Sequence, residues 1–326
     1  MTFGKIYKKT RIWIILAVAA CLPLIITNNY WLHILNLGGI FAICSLSLNL
    51  LTGCTGLFSV GHIAYYGIGA YTAAVLATRF HVPFLISLLC SGLLAMVFGI
   101  LLGMPALRLK GLYLAISTLA FGEIAYKVFL NWEAVTNGSR GIRGIKAPVL
   151  FGIDFKTYQT YYYLVLIFLI ITVVLIRNII HSRVGRALLS IRESEIAASA
   201  MGVDTVRYKI IAFATSSFFA GISGCLYAYE VHFISPESFV SQESITVLAM
   251  MVVGGIGSIS GSIAGAFVLI MIPEVLRSVG DIRLVLYGAA IVAIIIFAPK
   301  GLGGLIDWLD QVLSGKRVRK VSTEDK

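Results

Sequence analysis

The chain has 326 residues, 59% of them hydrophobic and 13% charged, with a mean hydropathy of +0.93. A soluble domain carries roughly a quarter charged residues, so a water-soluble globular protein is excluded. The net charge of +11 does not form a nucleic-acid patch, because Lys and Arg gather at residues 5–11, along 177–209 and at Lys316, Arg317, Arg319 and Lys320, as in loops retained in the cytoplasm.

In chain order, apolar stretches run at Ile12–Thr27, Ile34–Leu51, Ile63–Thr78, Phe84–Leu102, Leu112–Leu130, Tyr161–Ile176, Ile210–Tyr229, Ile245–Ile272 and Leu284–Ala298. Several approach the ~20 residues that cross a bilayer as helix. Barrel strands, ~10 residues of strict alternation, are absent from the sequence. The expected fold class is therefore an all-α polytopic membrane protein of about 8–10 transmembrane helices, a single transmembrane domain over residues 1–326. Lys5, Lys8, Lys9 and Arg11 ahead of Ile12–Ala20 resemble a signal peptide, but the apolar run continues through "LPLII", so this segment reads as the first span. Cys21, Cys44, Cys54, Cys90 and Cys225 lack CxxC spacing and read as small apolar residues, neither a disulfide framework nor a metal site.

Six spans before residue 177 return the chain to its starting side. "NNYWLH" (28–33) and Val231–Gln242 contain no Lys or Arg and belong outside, as does the long loop Asn131–Tyr158. Its Asn137-Gly138-Ser139 matches a glycosylation acceptor and is given no role. Residues 245–272 are too long for one span and too short for two. Glycine costs ~1 kcal/mol in a helix interior, so "GGIGSISGS" (Gly254–Ser262) is expected to break this region within the membrane into two half-helices. An even count of crossings then keeps the basic tail, residues 313–326, cytoplasmic and disordered. A second glycine-rich interruption lies at "TGCTGLFSVGH" (Thr52–His62). A shift of 201 positions lays Gly53 on Gly254, Gly56 on Gly257 and Ser59 on Ser260, which suggests an internal repeat. Broken segments at matching positions line the solute route in many transporters, so Gly53, Gly56, Ser59, Gly61, His62, Gly254, Gly257 and Ser260 are the candidate pathway residues. The alternative is close helix packing by small residues.

Polar groups inside spans are few. Glu123 and Lys127, four apart on one helix face, either pair or divide, Lys127 snorkelling to the outer interface while Glu123 bonds neighbouring helices; both readings are structural. His62 fits a pathway or a packing role, and Glu230 reads as a solvated helix end. The sequence contains no G-x-x-x-x-G-K-[ST] phosphate loop, G-x-S-x-G elbow or H-E-x-x-H helix, so no enzyme is indicated and no cofactor is expected on this chain.

"RESEIAASAMGVDTVRYK" (192–209) sits in the basic loop 177–209 between two spans. It reads as a short polar helix that Gly202 ends, with Asp204 capping the next. On a helical wheel Ser194, Ala197, Ala198 and Met201 form a small knob, with Arg192, Glu193 and Glu195 at its rim. Such a helix either docks into a groove on another protein or lies on the membrane as a connector, and composition leaves both open.

Resemblance separates them. Ser182–Ala228, which contains this stretch, resembles the coupling region of ATP-binding-cassette importer permeases, specifically the LivM family of branched-chain amino acid importers. "LTGCTGLFSVGHIAYYGIGAYTAA" (Leu51–Ala74), "TNGSRGIRGI" (Thr136–Ile145) and "SPESFVSQESITVLAMMVVGGIGSISGSIAGA" (Ser235–Ala266) resemble that family in the same order, and the likeness runs from about residue 34 to 305. Cys54 departs from it, standing where a small residue such as glycine is common. The resemblance implies that Glu195–Gly202 is the helix that docks into a cytoplasmic ATPase. It also implies a second homologous permease, two ATPase subunits that carry the ATP and magnesium, an extracytoplasmic solute-binding protein, and a place in a bacterial or archaeal cytoplasmic membrane. Relatives carry urea or short amides, which are alternative solutes. Rival classes are an ion-coupled secondary transporter using a carboxylate such as Glu123, and a membrane scaffold without transport.

Overall fold

The computed structural model describes residues 20–26, 28–106, 109, 111–150, 152–277, 282–298 and 301–304. Most of the expected first span and the whole basic tail lie outside the described residues.

Asn28 opens the first full helix, its side chain accepting from the Tyr30 amide, and α1 (Asn29–Thr55) then runs 27 residues to a left-handed Gly56. Next come α2 (His62–Thr78), α3 (Phe84–Ala106) and α4 (Leu112–Asn131). The loop after α4 carries a single helical turn at Glu133–Thr136, a 3-10 turn at Gly138–Arg140 and the strands β1 (Ile142–Arg143), β2 (Val149–Leu150) and β3 (Ile153–Asp154). Thr157 caps α5 (Tyr158–His181), and Ser182 caps α6 (Arg183–Glu193). After α7 (Glu195–Ala200) and α8 (Thr205–Val231) comes β4 (Phe233–Ile234), which pairs antiparallel with β1, Ile142 opposite Ile234. β2 and β3 form a separate antiparallel pair. The bundle closes with α9 (Ser241–Gly254), α10 (Ile259–Val275) and α11 (Arg283–Phe297).

Five of these helices, α1, α3, α4, α5 and α8, are long and apolar enough to cross a membrane. α1 is the axis of the bundle: 94% of its apolar window is buried, against 28–33% in α3, α4 and α5. The outer helices show why. α3 exposes Leu85, Ile86, Leu89, Leu93, Val97 and Leu101 on its free side, a stripe that only lipid or another protein suits.

A helix buried on every side has to satisfy its own polar groups from its neighbours. Near the start of α1, Asn36 Nδ2 donates to the Glu230 carboxylate and the Tyr158 carbonyl, both at 3.1 Å, and His33 Nδ1 lies 2.9 Å from Glu230. Glu230 is buried at the end of α8 and held by these groups. The solvated helix end expected from sequence is corrected, because Glu230 is buried and bonded to His33 and Asn36 of α1.

α8 crosses α2 and α3 where backbone meets backbone. A Cβ on Gly224 would lie 1.9 Å from the Tyr66 carbonyl oxygen, so the α2–α8 crossing exists only with glycine there. Gly224→Val is expected to lower thermal stability in detergent by several degrees or abolish insertion. Gly288→Ala meets nothing within 4 Å and is expected to be neutral or slightly stabilising by the same thermal-unfolding measurement.

Candidate coupling and translocation site

The two glycine-rich interruptions, 201 residues apart in sequence, touch each other. Gly56 ends α1 at φ +74° and Gly257 turns the chain between α9 and α10 at φ +87°, conformations that glycine adopts without steric cost. Nearly two turns before the end of α1, Asn49 Oδ1 accepts from the Gly257 amide at 2.7 Å, and Asn49 Nδ2 donates to the Ser258 carbonyl at 3.1 Å. A Cβ on Gly53 would lie 2.9 Å from the Gly257 amide nitrogen. The second break is therefore stitched to the last turns of α1.

The matched positions of the suggested repeat fare unequally. Gly56 and Gly257 share the left-handed backbone. Gly53 and Gly254 both lie near a helix end with glycine backbone against them, Gly254 against the Gly261 carbonyl. Ser59 is buried in the extended segment after α1, whereas Ser260 is exposed in the first turn of α10.

Depth differs from expectation as well. "GGIGSISGS" lies at the end of the bundle beside Arg192, not halfway through it. α9 and α10 have 14 and 17 residues, ~21 and ~26 Å, and they meet at their glycine ends. The deep interruption is the first one. After Gly56, residues 57–61 turn back along α1, and α2 begins at His62, whose Nε2 lies 2.7 Å from Ser47 Oγ, two turns before the end of α1 or ~12 Å along it. Thr52 Oγ1 donates to the Leu57 carbonyl at 3.0 Å, the Val60 amide to Thr118 Oγ1 and the Ile63 amide to Ser244 Oγ, each also at 3.0 Å. Gly61 presses on α4, where a Cβ would overlap the Thr118 carbonyl.

The pathway candidates Gly53, Ser59, His62 and Gly254 are thus buried in helix contacts. None of the eight lines either of the described cavities. An open groove of about 570 Å³ lies instead along α4, lined by Glu123, Ile124, Lys127, Val128, Asn131 and Trp132. Sequence had offered Glu123 and Lys127 as a pair. Glu123 accepts a hydrogen bond from Ser241 Oγ in the first turn of α9, and Lys127 Nζ stands 5.5 Å from the Tyr126 ring centre. Both charged residues are exposed in the middle and C-terminal half of an apolar helix. Ionisable groups at such positions ordinarily face protein or a water-filled path.

The 192–209 segment folds with the caps read from its sequence. Ser194 is extended and its Oγ accepts from the Ala197 amide at 3.2 Å, starting α7. Gly202 takes φ +81° after its end, and Asp204 Oδ1 accepts from the Arg207 amide at 3.1 Å to start α8. The face of α7 differs from the wheel. Ala198 is 4% exposed and packs inward, while Ile196 and Met201 are 81% and 85% exposed. Six residues make under two turns, so the anchoring contacts, not the wheel, set the outward face. Those contacts come from the supposed rim. Glu195 Oε1 pairs with the buried Lys209 Nζ at 2.6 Å, and Arg192 Nη1 donates to the Gly53 carbonyl at 2.5 Å. Glu193, the third rim residue, is exposed with Ala197 and Ser194. Ile196 went unnoticed in sequence, although an isoleucine amid small and acidic residues in a cytoplasmic loop was the signal.

Comparison with known proteins completes the description. A model of the family described as branched-chain amino acid transport system / permease component matches residues 30–298. The chain belongs to that family. It is 36% identical over 311 residues to the high-affinity branched-chain amino acid transport system permease protein LivM of Escherichia coli K12, covering 88% of this chain and 73% of that protein. A probable branched-chain amino acid transport permease protein LivM from Methanocaldococcus jannaschii is 25% identical over 274 residues, 73% of this chain and 79% of that one. The autoinducer 2 import system permease protein LsrC of Yersinia pseudotuberculosis is 24% identical over 285 residues, 84% and 70% of the two chains. No solved structure gives a significant match. Membership in a permease family agrees with the five apolar span-length helices and makes this chain a transport component.

In this permease, Asn49→Leu removes both bonds that stitch the second break to α1 and leaves the Gly257 amide and Ser258 carbonyl without that partner. The expected cost is about 1–3 kcal/mol, measured as a lower denaturation midpoint in detergent relative to the parent protein.

Proposed function

We propose that the chain is the transmembrane permease subunit of an ATP-driven importer for branched-chain, hydrophobic amino acids, and that α7 is where a cytoplasmic ATPase subunit docks. The observation that carries this is the build of α7 in a chain of this family: Ile196 and Met201 project into solvent from a helix fastened behind by the pair of Glu195 with the buried Lys209. A loose connector on the membrane surface needs no such fastening, and two bare apolar side chains on a polar loop suit a groove in another protein.

Sidedness follows from charge. The α6–α7 end carries Arg183, Arg186, Arg192 and Arg207 and belongs in the cytoplasm, whereas Val231–Gln242 has neither Lys nor Arg and faces outward. A solute-binding protein then delivers to the side of β1 and β4, and two ATPase subunits act from the side of α7. The second permease covers the face that holds the Glu123 groove, since exposed Glu123 and Lys127 are costly against lipid. The solute class rests on the relatives named for branched-chain amino acids, and a more distant relative is named for the import of autoinducer 2.

Reconstituted with its partners and ATP inside vesicles whose proton gradient is collapsed, the complex is expected to accumulate labelled leucine, with isoleucine and valine competing and urea or acetamide not. Uptake that requires the proton gradient and ignores ATP would contradict the reading.

Docking has its own test. Ile196→Glu with Met201→Glu places two carboxylates in the groove that receives them, and the permease is expected to insert normally yet lose its ATPases on purification. Ala198→Glu should act differently, lowering the stability of the permease itself because that side chain is buried. Undiminished ATPase association in the double variant would make α7 a connector.

A further inference from the structure

The α7 end of the bundle holds one contact that the docking proposal does not use. Arg192 stands in the last turn of α6, three residues before α7 begins, and its side chain reaches back across the glycine junction. A Cβ on Gly56 would lie 3.6 Å from Arg192 Cγ, and one on Gly257 would lie 3.4 Å from Nη1. The same Nη1 donates to the Gly53 carbonyl at 2.5 Å. One arginine thus runs over the left-handed end of α1, bonds to the last turn of that helix, and touches the turn that joins α9 to α10.

We infer that Arg192 is the positioning residue that transmits movement of the ATPase-docking helix to the two glycine breaks. Its geometry suits that task. Between Arg192 and α7 the backbone has only Glu193 and the extended capping Ser194, so a displacement of α7 reaches the guanidinium with little slack. Gly53, Gly56 and Gly257 carry no side chains, so the guanidinium meets backbone directly. The carbonyl that it binds belongs to α1, the buried axis, and Asn49 one turn away binds the Gly257 amide and the Ser258 carbonyl. Pulling on Gly53 therefore acts on both breaks together. Arg192 stays exposed overall, so it is not buried for packing, and a lysine could supply the charge without the planar reach over the turn.

This rests on the importer reading, and the test separates the two. Parent, Arg192→Ala, Arg192→Lys and the control Arg207→Ala are purified as complexes with their permease and ATPase partners and reconstituted with ATP inside the vesicles. ATP hydrolysed and leucine accumulated are measured together. Arg192→Ala is expected to keep its ATPases and hydrolyse ATP at roughly the parent rate, while uptake per ATP falls roughly tenfold or more, the scale on which a charge-assisted hydrogen bond matters. Arg192→Lys should recover only part of the ratio, and Arg207→Ala none of the loss. A variant that merely misfolds loses ATPase association and hydrolysis along with uptake. Should Arg192→Ala arrive in that state, Arg192→Lys decides alone: association kept with a lowered ratio supports the inference, and a parental ratio overturns it. A parental ratio in Arg192→Ala overturns the inference and leaves the importer reading standing. Parent vesicles without ATP-driven uptake would overturn both.

Discussion

The structure depends on burying α1 along nearly its whole length. A helix inside a bundle, away from lipid and water, draws partners to its polar side chains and to the carbonyls freed at its end. Each partner it recruits fixes another element. Glu230 at one end ties α1 to α8, His62 in the middle fixes where α2 begins, and Asn49 with Gly53 at the far end hold the α9–α10 turn and the side chain of Arg192. The glycines follow from this arrangement, because helices that cross backbone to backbone and turns that lie against a helix end leave no room for a Cβ.

That organisation separates two jobs. At one end α7 shows Ile196 and Met201 to a partner while Lys209 holds it from behind. On the flank of the bundle, α4 shows Glu123 and Lys127 among apolar residues, a mixture suited to a protein or aqueous neighbour. The deep loop 57–61 joins them structurally: it starts at the glycine junction and ends against Thr118 and Ser244, on α4 and α9, next to the groove. A shift at the junction has a short covalent route to the groove face.

Much of this was legible in the sequence. Apolar length gave the span-forming helices, and Ser194, Gly202 and Asp204 gave the boundaries of α7, since caps are local chemistry. Glycine clusters marked both breaks for the same reason. Their depth was not legible, because it depends on which helix each break packs against: Asn49 draws the second to the end of α1, and Ser47 draws the start of α2 inward. The outward face of α7 was misread on a wheel, where Ala198 and Ile196 exchange places once Glu195 and Lys209 set the rotation. Glu230 passed for a solvated end because nothing near it in sequence announces His33 and Asn36, nearly two hundred residues earlier. Tertiary partners decided every one of these differences.

The central claim is that the docking helix and the glycine junction form one mechanical unit. Paired spin labels on Ala200→Cys and Ile256→Cys, both exposed positions, in an otherwise cysteine-free permease would measure it in the assembled complex. One narrow distance distribution, unchanged between the nucleotide-free and ATP-trapped states, is the result predicted. A broad distribution, or a separation that changes with nucleotide while transport continues, would show that α7 moves independently of the breaks and contradict the account.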